Sequence, residues 1–519
     1  MDTKALRQKI LDLAIRGKLV PQDPNDEPAE VLLERIREQK QQMFKEGKLK
    51  KKDIKNDTII FKGEDNLHYE KFADGTVKCM EDEIPFEVPE GWAWCKLNDI
   101  YNFIDYRGAT PTKITNGIPL VTAKNVKSGY IDYTIDDYIS EEEFKERQQR
   151  GISKKGDILF TTEAPLGNAA LADMEKFSAG QRLITFQQYG SKNELINYVM
   201  LMFILSDFFQ QQLYVNKTGS TVAGIKAAIL KTLWIPVPPY NEQLRISNTL
   251  KSAINLIDSI SKNKEILSTS ISNTKSKILD LAIRGKIVPQ DPNDEPASVL
   301  LERIRAEKEE LIKQGKIKRD KKESVIFKGD DNSYYEKIGN KVNCIDEEIP
   351  FELSEGWAFI RLKTAWELIS GRDLSPSEYN DKNDGIPYIT GASNFRNGHI
   401  SLVRWTTVPQ VITRRGDLLL TCKGTIGEIA HNNFGEAHIA RQIMAIRNIY
   451  SLNVDFLALC IEYSMTKIKQ AAKGLIPGIS REDILNLVIP IPPIKEQENI
   501  CNKLKVTFSA IEHIEKSLN

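Results

Sequence analysis

The sequence lacks the features that mark several large classes of protein. Its six cysteines form no C-x-x-C pair, so neither a zinc ribbon nor a disulfide framework is indicated. Its 72 basic and 72 acidic residues cancel, so no overall positive field attracts nucleic acid. The longest apolar run, 198–205, is far shorter than the roughly 20 residues of a membrane span, and no signal-like apolar segment opens the chain. These absences predict a cytoplasmic protein without a membrane partner.

Motifs of methyl-transferring and nucleotide-dependent enzymes are absent as well. The only PPY sequence follows Val237 and lacks the leading polar residue of an adenine methyltransferase loop, and its second copy ends in Ile494. The segment 219–226 places Ile225 where a phosphate-binding loop needs lysine. No recognised metal-ligand spacing joins His431, Glu436 and His438. We therefore expect no catalytic residue, metal or cofactor in this chain.

The most informative feature that is present is an internal repeat. Residues 11–37 recur as 279–305 with 25 of 27 positions identical. Looser matches follow at EIPFEVPEGWAW (83–94 with 348–359) and at IPVPPYNEQ (235–243 with 489–497). Between these frames lie two divergent inserts, 95–234 and 360–488, which share only GIP, GD-x-L and G-x-x-G positions. Constant frames around divergent inserts predict one scaffold that presents two different specificities.

A seam of apolar residues predicts a long coiled-coil helix after the first PPxxEQ frame. Steps of three and four residues connect its members, with polar breaks at Lys264 and Thr274. Gly285 and Pro289 are typical of its end. At 1.5 Å per residue, about 42 residues span roughly 60 Å. The candidate seam residues of this helix are Leu250, Ile257, Ile260, Leu267, Ile271, Ile278 and Leu281.

The second copy of this helix is divided between the two ends of the sequence. Its first part carries Leu504, Ile511 and Ile514, whereas its last part corresponds to Leu6, Ile10 and Leu13. Two seams of equal length bury each other best, so we expect the central helix to pack antiparallel against this composite helix. The prediction is a cyclic, pseudo-twofold molecule.

The predicted fold class is α+β, with two globular α/β domains separated by a long antiparallel two-helix coiled coil. After each PQDPNDEP loop we expect a second helix, with Asp26 or Asp294 as its N-cap and an end near Gly47 or Gly315. The predicted segments are a conserved region at 1–47, a β linker at 48–94, the first insert domain at 95–234, a central conserved region at 235–315, a β linker at 316–359, the second insert domain at 360–488 and a conserved helix at 489–519.

Together these motifs resemble the specificity subunits of type I restriction-modification systems. The resemblance covers essentially the whole chain and includes KTGSTVAGIK at 217–226. It implies that each divergent domain reads one half of a split, asymmetric DNA site and that the helices set the unread spacer. It further implies double-stranded DNA, two methyltransferase subunits and motor-nuclease subunits as partners. S-adenosylmethionine, ATP and Mg²⁺ would be bound by those partner subunits.

DNA reading requires hydrogen-bonding and basic side chains on exposed loops, and three matched loops in each insert supply them. Since the same residue types also build turns and caps, a structural role stays open for each. In the first insert the candidates are Arg107, Lys124, Asn125, Lys127, Gln181, Arg182, Lys217, Ser220, Thr221 and Lys226. In the second they are Arg372, Ser393, Asn394, Arg396, Asn397, Lys423, Arg441, Gln442, Lys473 and Arg481. The second insert has nine arginines against four in the first, which predicts a half-site richer in G·C.

Two other functions stay open at this point. An architectural or anti-restriction protein would use the same scaffold to bind methyltransferase subunits, whatever insert it carried. A stand-alone DNA methyltransferase or nuclease would show turnover without any partner. Exchange of the first insert separates the first alternative from a DNA reader, because only a reader would change its recognised site.

Overall fold

The computed structural model describes residues 2–54, 57–106, 110–134, 137–189, 194–218, 223–317, 319, 323–396, 398–450, 452–471 and 478–518. The chain forms two compact units, Met1–Lys264 and Glu265–Asn519. Among the described residues, no helix has both the length and the apolar character needed to cross a membrane.

Unit 1 begins with helices and a small sheet, followed by the first insert. Its helices are α1 (Thr3–Ile15), α2 (Ala29–Lys45), α3 (Lys51–Ile54), α4 (Leu97–Ile100), α5 (Glu141–Arg147), α6 (Asn197–Ile204), α7 (Asp207–Val215), α8 (Ala227–Leu230) and α9 (Tyr240–Ile283), the last of which continues into unit 2. Its strands are β1 (Thr58–Lys62), β2 (His68–Phe72), β3 (Val77–Cys79), β4 (Ala93–Lys96), β5 (Tyr101–Asp105), β6 (Ile118–Val121), β7 (Tyr138–Ile139), β8 (Ile158–Thr162), β9 (Leu166–Leu171), β10 (Ser178–Ala179), β11 (Leu183–Gln188) and β12 (Trp234–Val237).

Unit 2 repeats the frame elements in the same order, although its insert contains more short strands. Its further helices are α10 (Ala297–Lys313), α11 (Leu362–Ala365), α12 (Val454–Ala471), α13 (Arg481–Leu485) and α14 (Ile494–Leu518). Its strands are β13 (Ser324–Lys328), β14 (Tyr334–Ile338), β15 (Lys341–Cys344), β16 (Ala358–Arg361), β17 (Trp366–Ser370), β18 (Ile386–Ile389), β19 (Phe395–Arg396), β20 (His399–Ile400), β21 (Trp405–Thr406), β22 (Ile412–Thr413), β23 (Leu418–Thr421), β24 (Ile429–His431), β25 (Ala437–Ile439), β26 (Ile443–Asn448) and β27 (Val488–Ile491).

The central sheets of the two inserts have the same strand order. In unit 1 the order is β5-β11-β8-β9, and in unit 2 it is β17-β26-β23-β24, with every neighbouring pair antiparallel. Strand β8 reads ILFTT and β23 reads LLLT, and every residue of both strands is buried. Burial of successive residues, which point to opposite faces, is typical of a strand covered on both faces. The divergent inserts therefore share one architecture, which confirms the predicted mixed α+β class.

A two-stranded ribbon leads into and out of each insert. Strand β4 pairs antiparallel with β12, and β16 pairs antiparallel with β27. In unit 1 this places Lys96, at the start of the insert, opposite Trp234, at its end. In unit 2 the corresponding partners are Arg361 and Val488. Both ends of each insert are thus held next to each other by the frame.

The repeated EGW and PPxxEQ frames contact each other directly. Trp92 Nε1 donates to Glu242 at 2.9 Å, and Trp357 Nε1 donates to Glu496 at 3.0 Å. Burial is the first cause that raises the pKa of both carboxyl groups. The PPY sequence is a strand exit into a helix, since α9 begins at Tyr240 directly after the two prolines that follow β12.

The glutamine of the PPxxEQ frame ties α9 or α14 to the insert. Gln243 Nε2 donates to Pro238 O at 2.9 Å, and its Oε1 accepts from the backbone N–H of Ile196 at 2.8 Å. Gln497 has the corresponding bonds to Pro492 O and to the Asn453 N–H. The same amide therefore fixes the start of the exit helix in both units.

The predicted long helix is confirmed as α9, which has 44 residues and an expected length of about 66 Å. Its end also follows the prediction: Gly285 has φ +69°, its N–H donates to Ala282 O at 3.1 Å, and the Lys286 N–H donates to Leu281 O at 2.8 Å. This is a Schellman cap, in which a left-handed glycine closes the helix. The same cap with Gly17 closes α1.

The predicted N-caps of the second helices are wrong. Helix α2 has Pro28 at its N-cap position, and the Ala29 N–H donates instead to Gly91 O at 2.8 Å. The Asp26 carboxylate is drawn away from the helix by the Arg245 guanidinium, with which it forms an ion pair. In unit 2 Pro296 occupies the cap position, and Asp294 lies 3.6 Å from Lys495 Nζ.

The predicted seam is only partly buried. Leu250, Ile257, Ile271 and Leu504 are buried. A second group is half-buried and comprises Leu6, Ile10, Leu13, Ile260, Ile278, Leu281 and Ile511. The prediction is wrong for Leu267 and Ile514, which are 41% and 51% exposed. Leu267 lies in a mostly polar stretch of α9, 261–270, in which nearly every side chain is exposed.

Helix α1 buries a different stripe from the one predicted. Leu11, Ala14 and Ile15 are its buried residues, and they belong to the main core of unit 1 together with residues of α6 and α7. A helix turns its most apolar stripe toward the largest available core. The seam positions of α1 are therefore flanking positions, while Arg7 forms an ion pair with Asp258 of α9.

Candidate nucleic-acid interface

In unit 1 the predicted loops meet around one buried residue, Thr162, at the end of β8. Its N–H donates to Arg182 O at 3.0 Å, and its carbonyl accepts from the Ile225 N–H at 3.0 Å. Thus the loop before β11 and the segment before α8 are both anchored to the last residue of the central strand. The first loop joins from the side, since the Asn168 amide of β9 donates to Val126 O at 3.0 Å.

Unit 2 has the same arrangement around Cys422. Its N–H donates to Gln442 O at 2.8 Å, and its carbonyl accepts from the Ile479 N–H at 2.8 Å. The two side chains act alike as well, since Thr162 Oγ1 donates to Arg182 O at 3.2 Å and Cys422 Sγ donates to Arg441 O at 3.6 Å. Burial raises the pKa of the Cys422 thiol, which is consistent with an uncharged packing residue.

We call these surfaces the loop edges. The loop edge of unit 1 comprises 122–132, 163–165, 181–182, 217–218 and 223–226. The loop edge of unit 2 comprises 371–373, 390–396, 422–424, 441–442 and 478–481. In each unit the three matched loops therefore converge at one end of the central sheet, a proximity that the sequence alone did not give.

Several predicted residues are exposed on the loop edges. They are Lys124, Gln181, Arg182 and Lys226 in unit 1, and Arg372, Ser393, Arg396, Lys423, Arg441, Gln442 and Arg481 in unit 2. Lys127 and Lys217 are half-exposed, and the Lys217 ammonium lies 3.5 Å above the ring centroid of Tyr214. Each edge thus carries basic and amide side chains of the kinds that contact phosphates and base edges.

Two predicted residues are not available for DNA. Asn125 and Asn394 are 2% and 1% exposed. Asn125 Oδ1 accepts from Thr122 N at 2.9 Å, and its amide donates to Asp132 O at 2.8 Å. Asn394 makes the same pair of bonds, to Thr390 N and Ser401 O. The turn-building role, left open by the sequence, is the one that both residues fulfil.

Five other predicted residues lie outside the described part of the chain. They are Arg107, Ser220, Thr221, Asn397 and Lys473.

A residue that the sequence analysis did not select, Glu163, lies on the loop edge of unit 1. Its carboxylate accepts from Arg182 Nε at 3.1 Å, and its backbone forms a bridge with Gly224. The corresponding position in unit 2 is Lys423, which bridges Gly478 in the same way. Alignment of the two GD-x-L strands pairs Glu163 with Lys423. Glu163 is acidic, so it is not among the predicted DNA contacts, which are hydrogen-bonding and basic side chains. The two edges consequently differ in charge at an equivalent position.

His438 is a structural residue of unit 2. Its Nδ1 accepts from Val411 N at 3.1 Å, and its Nε2 lies 2.8 Å from Arg372 O. Burial lowers the pKa of His438, so the neutral ring donates from Nε2 and fixes the backbone of Arg372. His431 instead lies 3.3 Å from Asp455. Neither histidine joins a metal-ligand cluster among the described residues.

The cluster with ligand-like spacing in the described chain lies elsewhere. His68, Glu81 and Glu87 bring one ligand atom each within 4.8 Å of one another. His68 Nδ1 already contacts Glu81 at 3.1 Å, and Lys62 Nζ lies 3.9 Å from Glu87. An ammonium group beside the carboxylate competes with a cation, so the arrangement is explained by side-chain pairing.

Comparison with known proteins agrees with this geometry. The sequence matches the family described as the type I restriction modification DNA specificity domain over residues 89–268 and 354–519. The chain belongs to this family. Each matched segment includes one insert and its exit ribbon, so this type I specificity chain carries two copies of the domain. The family that the motifs resemble is thereby confirmed.

Specificity subunits of the same family are similar along nearly their whole length. The chain is 27% identical to the specificity subunit of the type I restriction enzyme EcoAI from Escherichia coli, over 592 aligned positions that cover 97% of this chain and 90% of that subunit. It is 26% identical to the EcoEI specificity subunit from Escherichia coli, with 99% and 90% covered.

A solved structure shares the fold. It is described as the "structural basis underlying complex assembly and conformational transition of the type I R-M system", and it superimposes with a TM-score of 0.55 at 19% identity. The match covers 84% of this chain and 94% of that one. At this identity the likeness supports the shared fold alone.

Proposed function

We propose that this chain is the DNA-sequence specificity subunit of a type I restriction-modification complex and reads a bipartite, asymmetric site without catalysing a reaction itself. One observation carries the proposal: the two units build the same loop edge around Thr162 and Cys422, but they place different side chains on it. A shared scaffold with unlike contact residues is suited to reading two unlike half-sites.

The chemistry of the loop edges favours double-stranded DNA. Exposed arginines and glutamines such as Gln181, Arg182, Arg441 and Gln442 hold the donors and acceptors that pair with base edges in the major groove. Exposed lysines such as Lys124 and Lys423 are suited to phosphates. Since the whole chain has no net charge, such local groups must supply the attraction.

The partners in this proposal are two methyltransferase subunits and the motor-nuclease subunits. These partner subunits catalyse the reactions, and they bind S-adenosylmethionine, ATP and Mg²⁺. The specificity subunit positions its partners, because it places one methyltransferase subunit on each half of the site. The architectural and stand-alone enzyme alternatives have no observation in their favour.

The two loop edges are held apart in this proposal by a rod of α9 paired antiparallel with α14 and α1. Two contacts within the separate units support it. In unit 1 Arg7 of α1 pairs with Asp258 of α9, and in unit 2 Lys275 Nζ of α9 lies 2.7 Å from Glu515 of α14. An antiparallel direction in unit 1 is supported by the Lys264 ammonium, which helps to lower the pKa of Asp2 after the N–H groups of Ala5 and Lys4.

Exchange of the first insert tests the proposed function. Residues 95–234 are replaced by the corresponding insert of another specificity subunit, and the methylated positions of the host genome are sequenced. We expect the first half-site to change while the second half-site and the binding of methyltransferase subunits persist. An unchanged bipartite site would contradict the proposal, as would methyl transfer by the purified chain alone.

A further inference from the structure

The three-stranded sheets ahead of the two inserts each have a face turned away from the frame. Residues directly opposite each other in the strand register share a face. On β1, β2 and β3 one such set is Ile59, Phe61, Tyr69, Lys71, Val77 and Cys79. On β13, β14 and β15 the corresponding set is Val325, Phe327, Tyr335, Lys337, Val342 and Cys344. We call each set the outer face of its unit.

The outer faces are nearly identical, and more than half of their side chains are exposed while the rest are half-buried. Five of the six residue types are the same, and the sixth changes only from Ile59 to Val325. Val77 and Val342 are 53% and 51% exposed, and Phe327 is 41% exposed. An apolar sheet face open to water is unfavourable for an isolated protein and is typical of an interaction surface.

The opposite, inner faces have changed more. His68, Phe72 and Lys78 of unit 1 correspond to Tyr334, Ile338 and Asn343 of unit 2. These inner faces pack on the frame, where Glu70 pairs with Lys96 and Glu336 pairs with Arg361. Phe72 and Lys78 on the inner face are exposed and have changed, whereas Lys71, Val77 and Cys79 on the outer face are exposed and unchanged. Drift after duplication has therefore not acted equally on the two faces.

The geometry of the outer faces is preserved as well. The Phe61 and Tyr69 rings stack with centroids 5.8 Å apart, and the Phe327 and Tyr335 rings stack at 5.9 Å. Tyr69 donates to Asp65 Oδ2 at 2.6 Å, which is the bond that Tyr335 makes to Asp331 at 2.8 Å. Two rigid aromatic pairs of the same shape are therefore offered, one per unit.

We propose that each outer face is the docking site of one methyltransferase subunit, so that the chain binds two copies of it through two equivalent surfaces. The proposal rests on the proposed function, which supplies the partner. The chemistry of the face defines what the partner presents: an apolar patch for the stacked rings and the valine, and a carboxylate for the lysine. Lys71 and Lys337 are exposed and form no ion pair with the described residues. Their ammonium groups are therefore available to pair with a carboxylate of the partner.

A second copy of the same chain is a poorer occupant. Lys71 and Lys337 are both exposed on their outer faces, so an outer face that met another outer face would place like charges against each other. A different protein with a single complementary face ends the assembly at two bound copies. The duplication of the face therefore indicates a partner that is present twice.

Charge substitution at the exposed valines tests the docking site. Full-length chain carrying Val77→Glu, Val342→Glu or both is mixed with the methyltransferase subunit of the same restriction system, and the stoichiometry is measured by native mass spectrometry. We expect two bound subunits for the unaltered chain, one for each single variant and none for the double variant. The controls are Val215→Glu and Val403→Glu, which are 82% and 54% exposed on the inserts and should leave two subunits bound.

A second pair of variants tests the charge. Lys71→Glu combined with Lys337→Glu should weaken binding of the subunit at least about tenfold, whereas arginine at both positions should retain it. Thermal unfolding of every variant, followed by circular dichroism, distinguishes lost docking from lost folding, because exposed valines and lysines should leave the melting temperature unchanged.

The outcomes separate the docking proposal from the proposed function. Two subunits on the double valine variant would overturn the docking site and leave the proposed function intact. No subunit on the unaltered chain would overturn both. Self-association of the unaltered chain that the double variant abolishes, without any methyltransferase binding, would assign the outer face to a second copy and also overturn the proposal.

Discussion

Individual residues show how one backbone serves two specificities. Thr162 and Cys422 anchor the same loops through their N–H and carbonyl groups, and the side chain of each donates a further bond to the loop before β11 or β26. Some arginines of the second insert form ion pairs within the fold. Arg361 is buried against Glu336 and Glu348, and Arg447 pairs with Asp417. These two arginines of the second insert stabilise the fold, and a half-site richer in G·C stays a prediction that depends on the exposed ones.

Asp157 predicts a pH effect on the stability of unit 1. Burial raises its pKa to about 6 from an ordinary value of 3.8. At a pH between these two values the folded chain holds a proton on Asp157 that the unfolded chain has released. The stabilising contribution of this protonated carboxyl to the free energy of unfolding is therefore complete below about pH 4 and is lost as the pH rises through 6. Asp157→Asn does not titrate, so its stability relative to the unaltered chain should rise by about 2 kcal/mol between pH 4 and pH 7. Urea unfolding of both proteins at several pH values measures this, and parallel pH dependences would refute it.

At the scale of elements, the caps of the helices offer a matched comparison. Gly285 and Gly315 both have φ +69° after a helix, but their surroundings differ. A Cβ at Gly285 would lie 2.7 Å from Trp357 Cζ2, whereas one at Gly315 would meet nothing within 4 Å. Gly315→Ala should cost about 1 kcal/mol of unfolding free energy for the left-handed backbone alone. Gly285→Ala should cost at least about 1 kcal/mol more, because Trp357 must move.

Urea unfolding of the two alanine variants measures the difference between the caps. The pair Gly17→Ala and Gly47→Ala repeats the comparison in unit 1, where the added Cβ at Gly17 would collide with Pro89 Cγ and the added Cβ at Gly47 would meet open space. Equal losses at both glycines of a pair would show that the tryptophan and proline contacts do not constrain the cap.

The elements also differ in how well the sequence predicts them. The repeat, the extent of α9 and its glycine cap follow from local patterns, so they could be predicted. The N-caps could not be predicted, because Asp26 forms an ion pair with Arg245, a residue that is distant in sequence. Likewise, Asn125 and Asn394 belong to residue types common in both DNA contacts and turns, and only burial separates the two roles. The convergence at Thr162 depends on long-range strand pairing, which leaves no periodic signal.

At the scale of the whole molecule, the proposed rod links helix length to the unread spacer. An insertion of seven residues into α9 lengthens it by about 10 Å and preserves the seam, and a matched insertion at the end of α14 keeps its partner in register. We expect both half-sites to keep their sequences while the spacer grows by about three base pairs. Sequencing of methylated genomic positions checks this result. A site with an unchanged spacer would show that the helices do not measure it.

The paired ribbons β4–β12 and β16–β27 have a consequence for inheritance. Because each insert leaves and re-enters the frame at adjacent residues, replacement of the intervening gene segment alters neither the distance nor the direction that the flanking chain must bridge. The amino-acid frames at 11–37 and 279–305 are also nearly identical. Each insert is therefore a cassette, and in the proposed function the exchange of one cassette supplies a new half-site in a single step.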